Sequence, residues 1–219
     1  SKPKERRKHV HRFLSDSSDI SKNTVDLAYD VVDAAFRHVW YEQNTTWTVS
    51  ERLSVLLTGL GSSLKGDPFK ELVRLHEEME LEIMPDLAPG IAEAIQKLSK
   101  TYKLGVISDT IFSPGRVLKQ ILNKYDLLDC FDAFIFSDEV KCAKPNPEVF
   151  RLIANQLGVS ANEILHIGDR EEKDVAGPHS VEAKAILTTV VKDRRSQPSK
   201  AELVCNNYKD LFEQVSSLT

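Results

Sequence analysis

The first part of the chain carries its apolar residues at helical spacing. Val25, Ala28, Val32, Ala35, Phe36 and Val39 recur at three- and four-residue steps and predict one buried helix face. Thr48 and Glu51 stand at capping-box spacing ahead of Leu53, Leu56, Leu57 and Leu60, and Gly59 and Gly61 supply a stop. Asp67-Pro68 offers a cap and a first-turn proline before Phe69, Leu72, Val73, His76 and Met79. Residues 1–84 are expected to fold as a small helical bundle.

After Met84-Pro85 the pattern changes, and helices alternate with short apolar runs. A helix over 89–99 turns Ile91, Ile95 and Leu98 inward and leads to a strand at Lys103–Ser108. Ser113-Pro114 opens a helix buried through Val117, Ile121 and Leu122, and Phe134–Phe136 is the next strand. Pro147 starts a helix that Gly158 ends, followed by a strand at Ile164–Ile167. Ala185–Leu187 and Leu203–Val204 are further strands, Tyr208–Leu218 is a closing helix, and Lys192–Lys200 is an exposed connection. Strands alternating with helical crossovers predict an α/β fold over 85–219, with a parallel sheet of the Rossmann-like kind.

Composition narrows the class without naming a chemistry. The 219 residues suffice for a core plus a smaller unit. With 41% hydrophobic and 28% charged residues, general disorder is excluded. A net charge of -4 gives no reason to expect nucleic acid or an anionic membrane as partner. Cys130, Cys142 and Cys205 lack metal-type spacing, and no apolar run approaches the roughly 18 residues of a spanning helix. A cytoplasmic monomer or homodimer is expected. The basic run Lys2–Lys8 reads as the start of a solvated helix.

Candidate chemistry collects where predicted strands end, since helix N-termini there present amide hydrogens to a ligand. Ser108-Asp109-Thr110 follows the first strand, and a hydroxyl there can hold a phosphoryl oxygen; alone, Ser108 reads more readily as a helix-cap or turn residue. Lys144-Pro145-Asn146-Pro147 fixes a lysine before a helix, where a cation can neutralise a transferring phosphoryl group; singly it is an ordinary surface lysine. In Gly168-Asp169-Arg170-Glu171-Glu172-Lys173-Asp174, two carboxylates five residues apart can face one pocket and suit Mg2+, or form a solvated acidic turn.

These segments, in this order, closely resemble the haloacid dehalogenase superfamily, in particular its phosphoglycolate phosphatase-like branch with a helical cap near the N-terminus. The carrying stretches are Leu104–Asp109, Ser137–Val140 with Lys144–Pro147, and Ile167–Asp169 with Asp174–Gly177. The resemblance makes residues 1–84 the cap and 85–219 the core. It implies that Ser108 binds the phosphoryl group and that Lys144 stabilises the nucleophile and the transferred phosphoryl. By the same resemblance Asp169 ligates Mg2+ and Asp174 orients that shell. Asp109, where relatives often have asparagine, would bring an extra negative charge to the phosphate site.

The resemblance also implies a first core strand ending in an aspartate pair, the nucleophile and the acid-base. No such segment occurs in the chain: Asp16, Asp19 and Asp26 lie in a polar turn and the following helix. The expectation is a sequence truncated ahead of Ser1, a sheet lacking a central strand, and no turnover by these residues alone. The implied activity of the intact protein is Mg2+-dependent hydrolysis of a small phosphorylated metabolite. The alternatives are a 2-haloacid dehalogenase and a non-catalytic binding protein. His166 is expected to be a packed core residue, Trp40 and Trp47 core or interface packing residues rather than the lining of the cap's substrate face, which is the other reading open to them, and Cys142 no nucleophile for want of a nearby base.

Overall fold

The structure is a computed structural model that describes residues 1–15 and 19–219, so Asp16 lies outside the described residues. Helices α1 (Lys2–Ser15), α2 (Lys22–Glu42), α3 (Val49–Gly59) and α4 (Asp67–Glu77), with the short α5 (Met79–Glu82), form an N-terminal helical layer. The capping box is present: the Glu51 amide donates to Thr48 Oγ1 at 3.2 Å, and the Thr48 amide to Glu51 Oε2 at 2.7 Å. Asp67 begins α4 rather than capping it; Gly66, with φ of 65°, takes the cap position. Along α2 the buried stripe is Val25, Tyr29, Val32, Phe36 and Trp40, while Ala35 is exposed. Steps of three and four from Val25 reach Tyr29 and Trp40, and leave Ala35 about 100° off the stripe. Val10, Leu14, Val32, Leu53, Leu56 and Leu72 share one core, each contributing about 1.5–3 kcal/mol by leaving water.

The basic run is less solvated than its sequence suggests. Lys2 pairs with Glu80 and Arg7 with Asp30, but Arg6 is buried, its guanidinium 3.7 Å from the centre of the Phe112 ring. Arg52 lies over the same ring at 4.2 Å, donates to the Ile111 carbonyl at 2.7 Å and pairs with Asp33 at 2.5 Å. Ser113 Oγ donates to the Glu77 carbonyl. The loop after the first strand is thereby anchored inside the helical layer, which fixes the site residues at its start.

The remainder runs α6 (Ile91–Leu98), β1 (Gly105–Ser108), α7 (Gly115–Lys124), β2 (Ala133–Phe136), α8 (Ser137–Val140), α9 (Pro147–Leu157), β3 (Leu165–Gly168), a π-helical turn Glu171–Ala176, α10 (Gly177–His179), β4 (Lys184–Thr188), β5 (Leu203–Cys205) and α11 (Leu211–Leu218). All pairings are parallel: Ser108 opposes Phe136, Gly168 opposes Leu187 and Thr188 opposes Cys205. Helices cover both faces. Val149, Phe150 and Ile153 of α9 pack with Ile107 and Ile135, whereas Ala94, Leu98, Leu211 and Val215 pack with Leu104, Ile167 and Ile186.

The sheet is in two pieces, β1-β2 and β3-β4-β5. Among the described residues no strand pairs with the free edge of β1 or of β3. Burial records the gap: β3 is half-buried throughout and β1 is half-buried or exposed, while three residues of β2 and four of β4 are fully buried. Helix α9 packs on Ile107 and Ile135 of the first piece, and its Phe150 meets His166 of β3 edge-on at 5.3 Å, so it bridges the trough between the two pieces.

Candidate functional site

The carboxyl ends of β1 and β3 open into one cleft of about 190 Å3, lined by Ser108, Asp109, Lys144, Asp169, Lys173 and Asp174, with Trp40 of α2 and Arg170 at its side. Each residue arrives for a local reason. Ser108 ends β1 and Asp109 starts the loop anchored by Phe112. Lys144 precedes a cis Pro145 and the helix that Asn146 caps by accepting from the Glu148 amide. Asp169 follows Gly168, where any side chain is barred: a Cβ there would lie 2.3 Å from Asp174 Cγ. That close approach lets Asp174 fold back under the turn.

Asp174 is the most heavily bonded group of the cleft. One carboxylate oxygen accepts from Lys144 Nζ at 2.6 Å and lies 3.1 Å from His166 Nε2. The other accepts the Asp169 and Arg170 amides at 3.1 and 3.0 Å. Burial raises the pKa of this carboxyl, but the His166 hydrogen bond and the Lys144 charge reverse the effect and hold it well below the usual range. It is an anion at neutral pH, orienting Lys144 and the turn that presents Asp169. Burial lowers the His166 pKa against the pull of Asp174, so a neutral ring donates from Nε2, edge-on to Phe150.

Asp109 is also fully engaged. Its Oδ1 accepts the Lys144 amide at 3.0 Å and its Oδ2 the Lys173 ammonium at 2.9 Å, so the negative charge beside Ser108 is matched at once. Burial lowers the Lys173 pKa and Asp109 opposes that shift. Behind this pair, Ser137 Oγ ties the loop down, accepting the Thr110 amide and the Thr46 hydroxyl. Asp169 is the open carboxylate, 42% exposed, and meets Arg194 Nε at 2.5 Å.

The four motif residues Ser108, Lys144, Asp169 and Asp174 thus come together from three chain segments. Four contributors were not read as site residues from sequence. His166 is not merely packed: it bonds Asp174. Lys173 pairs with Asp109, Ser137 ties the loop, and Arg194 turns the 192–200 connection toward Asp169. Trp40 is buried against Phe36 and Ala143 while lining the cleft, and Trp47 packs beside it. Burial pushes the Cys142 thiol pKa up, against a nucleophilic role. Among the described residues no group of three or more His, Cys, Asp or Glu is placed to hold a metal ion, and no helix is long and apolar enough to cross a membrane.

A helix-covered parallel sheet with a polar cleft at its strand ends defines an α/β protein of the doubly wound class. The family pattern described as haloacid dehalogenase-like hydrolase matches residues 13–181, and the chain belongs to that family. It is 32% identical over 123 residues to a phosphorylated carbohydrates phosphatase of Thermotoga maritima, covering 54% of each chain. It is 31% identical over 99 residues to a glyceraldehyde 3-phosphate phosphatase of Methanopyrus kandleri (44% of this chain, 39% of the relative). Against a phosphoglycolate phosphatase of Salmonella typhi it is 26% identical over 140 residues (60% and 54%). The chain spans about half the length, or less, of these curated relatives. Among solved structures, an HAD phosphatase from Thermococcus onnurineus superposes with a TM-score of 0.66 at 23% identity, covering 96% of this chain and 87% of the other. A 2-haloacid dehalogenase from Pseudomonas syringae pv. Tomato DC3000 superposes at 0.57 and 18% (88% and 92%). These superpositions establish the fold.

Proposed function

We propose that the chain is the cap and most of the core of a Mg2+-dependent phosphomonoesterase acting on a small phosphorylated metabolite. The observation that carries this reading is the convergence of Ser108, Lys144 and Asp169 at the mouth of the trough between β1 and β3. The curated relatives named above are phosphatases of phosphorylated small molecules, in keeping with it.

The trough is where an extended segment would find backbone partners on both sides. A strand seated there, bearing paired aspartates at its carboxyl end, would put a nucleophile beside Ser108 and Lys144. Attack of its first carboxylate on phosphorus forms an aspartyl-phosphate as the ester P–O bond breaks, and the second aspartate protonates the departing alkoxide. That residue then takes a proton from the water whose attack releases inorganic phosphate. In this scheme Ser108 donates to a phosphoryl oxygen, and Lys144, oriented by Asp174, neutralises charge on the transferring group. The residues 1–219 alone are expected to be inactive.

The donor chemistry fits Mg2+ in part. Asp169 offers a hard, accessible carboxylate, and Mg2+ commonly takes one or two carboxylates together with water and substrate oxygens. When bound, the ion supplies positive charge to the phosphoryl oxygens. Asp174 is saturated by its donors and acts by ordering the Asp169 and Arg170 amides. The helical layer, with Trp40 on the cleft, serves as a cap that excludes water and selects the leaving group.

The test is phosphate release from a generic phosphomonoester by the protein together with whatever sequence precedes Ser1. Activity that disappears on chelation, and in Asp169→Ala, is expected. Turnover of 2-chloropropionate in chelator would overturn the phosphatase reading in favour of a dehalogenase. Near-normal activity of Asp169→Ala would sink the metal assignment.

A further inference from the structure

We propose that Lys173 is a positioning residue for oxyanion binding, a buried cation whose task is to cancel Asp109 at the edge of the Ser108–Lys144 cleft. The proposal rests on reading that cleft as an oxyanion site. Asp109 directly follows Ser108 and lines the same cleft, so its charge faces any anion bound there. At about 6 Å and an effective dielectric between 20 and 40, an unmatched carboxylate would weaken a bound anion about ten- to hundred-fold.

Lys173 is placed to remove that repulsion and little else. Its ammonium lies 2.9 Å from Asp109 Oδ2 and 3.4 Å from the centre of the Trp40 ring, with its side chain only 4% exposed. Held between a carboxylate and an aromatic face, it is poorly placed to grip a ligand directly. Asp109 in turn fixes the Lys144 amide through Oδ1. Lys173 thus joins the turn after β3, the loop after β1 and helix α2 at one point. The Asp109–Lys173 pair then acts as a neutral unit: Asp109 positions the Lys144 backbone, and Lys173 makes its charge tolerable.

The test is titration of inorganic phosphate into wild type, Lys173→Met, Asp109→Asn and the double variant by calorimetry, with thermal melts alongside. Where the protein turns over a phosphomonoester, KM and kcat are measured in parallel. Lys173→Met should bind phosphate about ten- to hundred-fold more weakly, with the loss in KM rather than kcat. Asp109→Asn, which leaves Lys173 uncancelled, should bind it more tightly, and the double variant should return to within about threefold of wild type. General damage to the fold cannot produce opposite signs in the two single variants. Should Lys173→Met fail to fold, Asp109→Asn and the double variant still decide. Unchanged affinity in a folded Lys173→Met, loss in Asp109→Asn, a double variant that binds no better than Lys173→Met or about as weakly as that variant was expected to, or no phosphate binding by wild type would overturn the proposal. Phosphate binding without hydrolysis by a protein that also carries the paired-aspartate strand would overturn the phosphatase reading and leave this one standing.

Discussion

Asp174 concentrates the electrostatics of the cleft in one buried carboxylate with four donors. Replacing it by alanine leaves Lys144 without its partner and two turn amides unsatisfied. Breaking such a buried pair costs about 3–5 kcal/mol, so Asp174→Ala should shift the urea midpoint strongly downward at pH 7. Gly168→Ala should act on the same contact from the other side, since a Cβ 2.3 Å from Asp174 Cγ forces that carboxylate out of place. A loss of about 2 kcal/mol or more is expected from such overpacking, again read in urea. At this scale the sequence revealed residues whose chemistry is announced locally: Ser108 and Asp169 follow apolar runs, Lys144 precedes a helix, and Asp174 stands five residues after Asp169 in the same acidic turn. His166, Lys173 and the buried Arg6 escaped because their contacts come from elsewhere in the chain. Arg6 meets Phe112, and Lys173 meets Asp109, through packing that no local pattern encodes.

Helices were read best where both ends carry a chemical signal. Helix α9 runs Pro147–Leu157 as its proline start and glycine stop predict, with Gly158 at φ of 70°. The Thr48–Glu51 box marks the start of α3, and Thr48→Ala should lower stability by about 1 kcal/mol, measurable by chemical denaturation. Helix α4 carries a less visible device. His76 is fully buried beneath it, its Nδ1 2.8 Å from the Leu72 carbonyl, and burial lowers its pKa to about 4 from an ordinary 6.5. As pH falls below 6.5 the unfolded chain takes up this proton first, so the stability present above that value is lost progressively down to about pH 4. The loss is on the order of 3 kcal/mol. Urea titrations at pH 7 and pH 4.5 should show it, and His76→Leu should flatten the difference. A pH slope unchanged in that variant would mean His76 is not the group responsible.

Across the whole molecule the governing feature is the divided sheet. The strands themselves were legible as apolar runs, but their pairing was not, because register and neighbours depend on what lies beside each strand. Backbone amides on the free edges of β1 and β3 have no partner strand among the described residues, whereas β4 is paired on both sides. Hydrogen exchange should therefore protect 184–188 far more than 105–108. Equal protection would mean that the two pieces close on each other in solution.

Neither Gly105–Ser108 nor Leu165–Gly168 contains a proline, a lysine or any other charged residue of the kind that discourages intermolecular pairing at strand edges. The colloidal behaviour of these 219 residues should follow from that. Light scattering should rise with protein concentration as molecules lend each other strands, and fall when a short extended apolar peptide is added to occupy the trough.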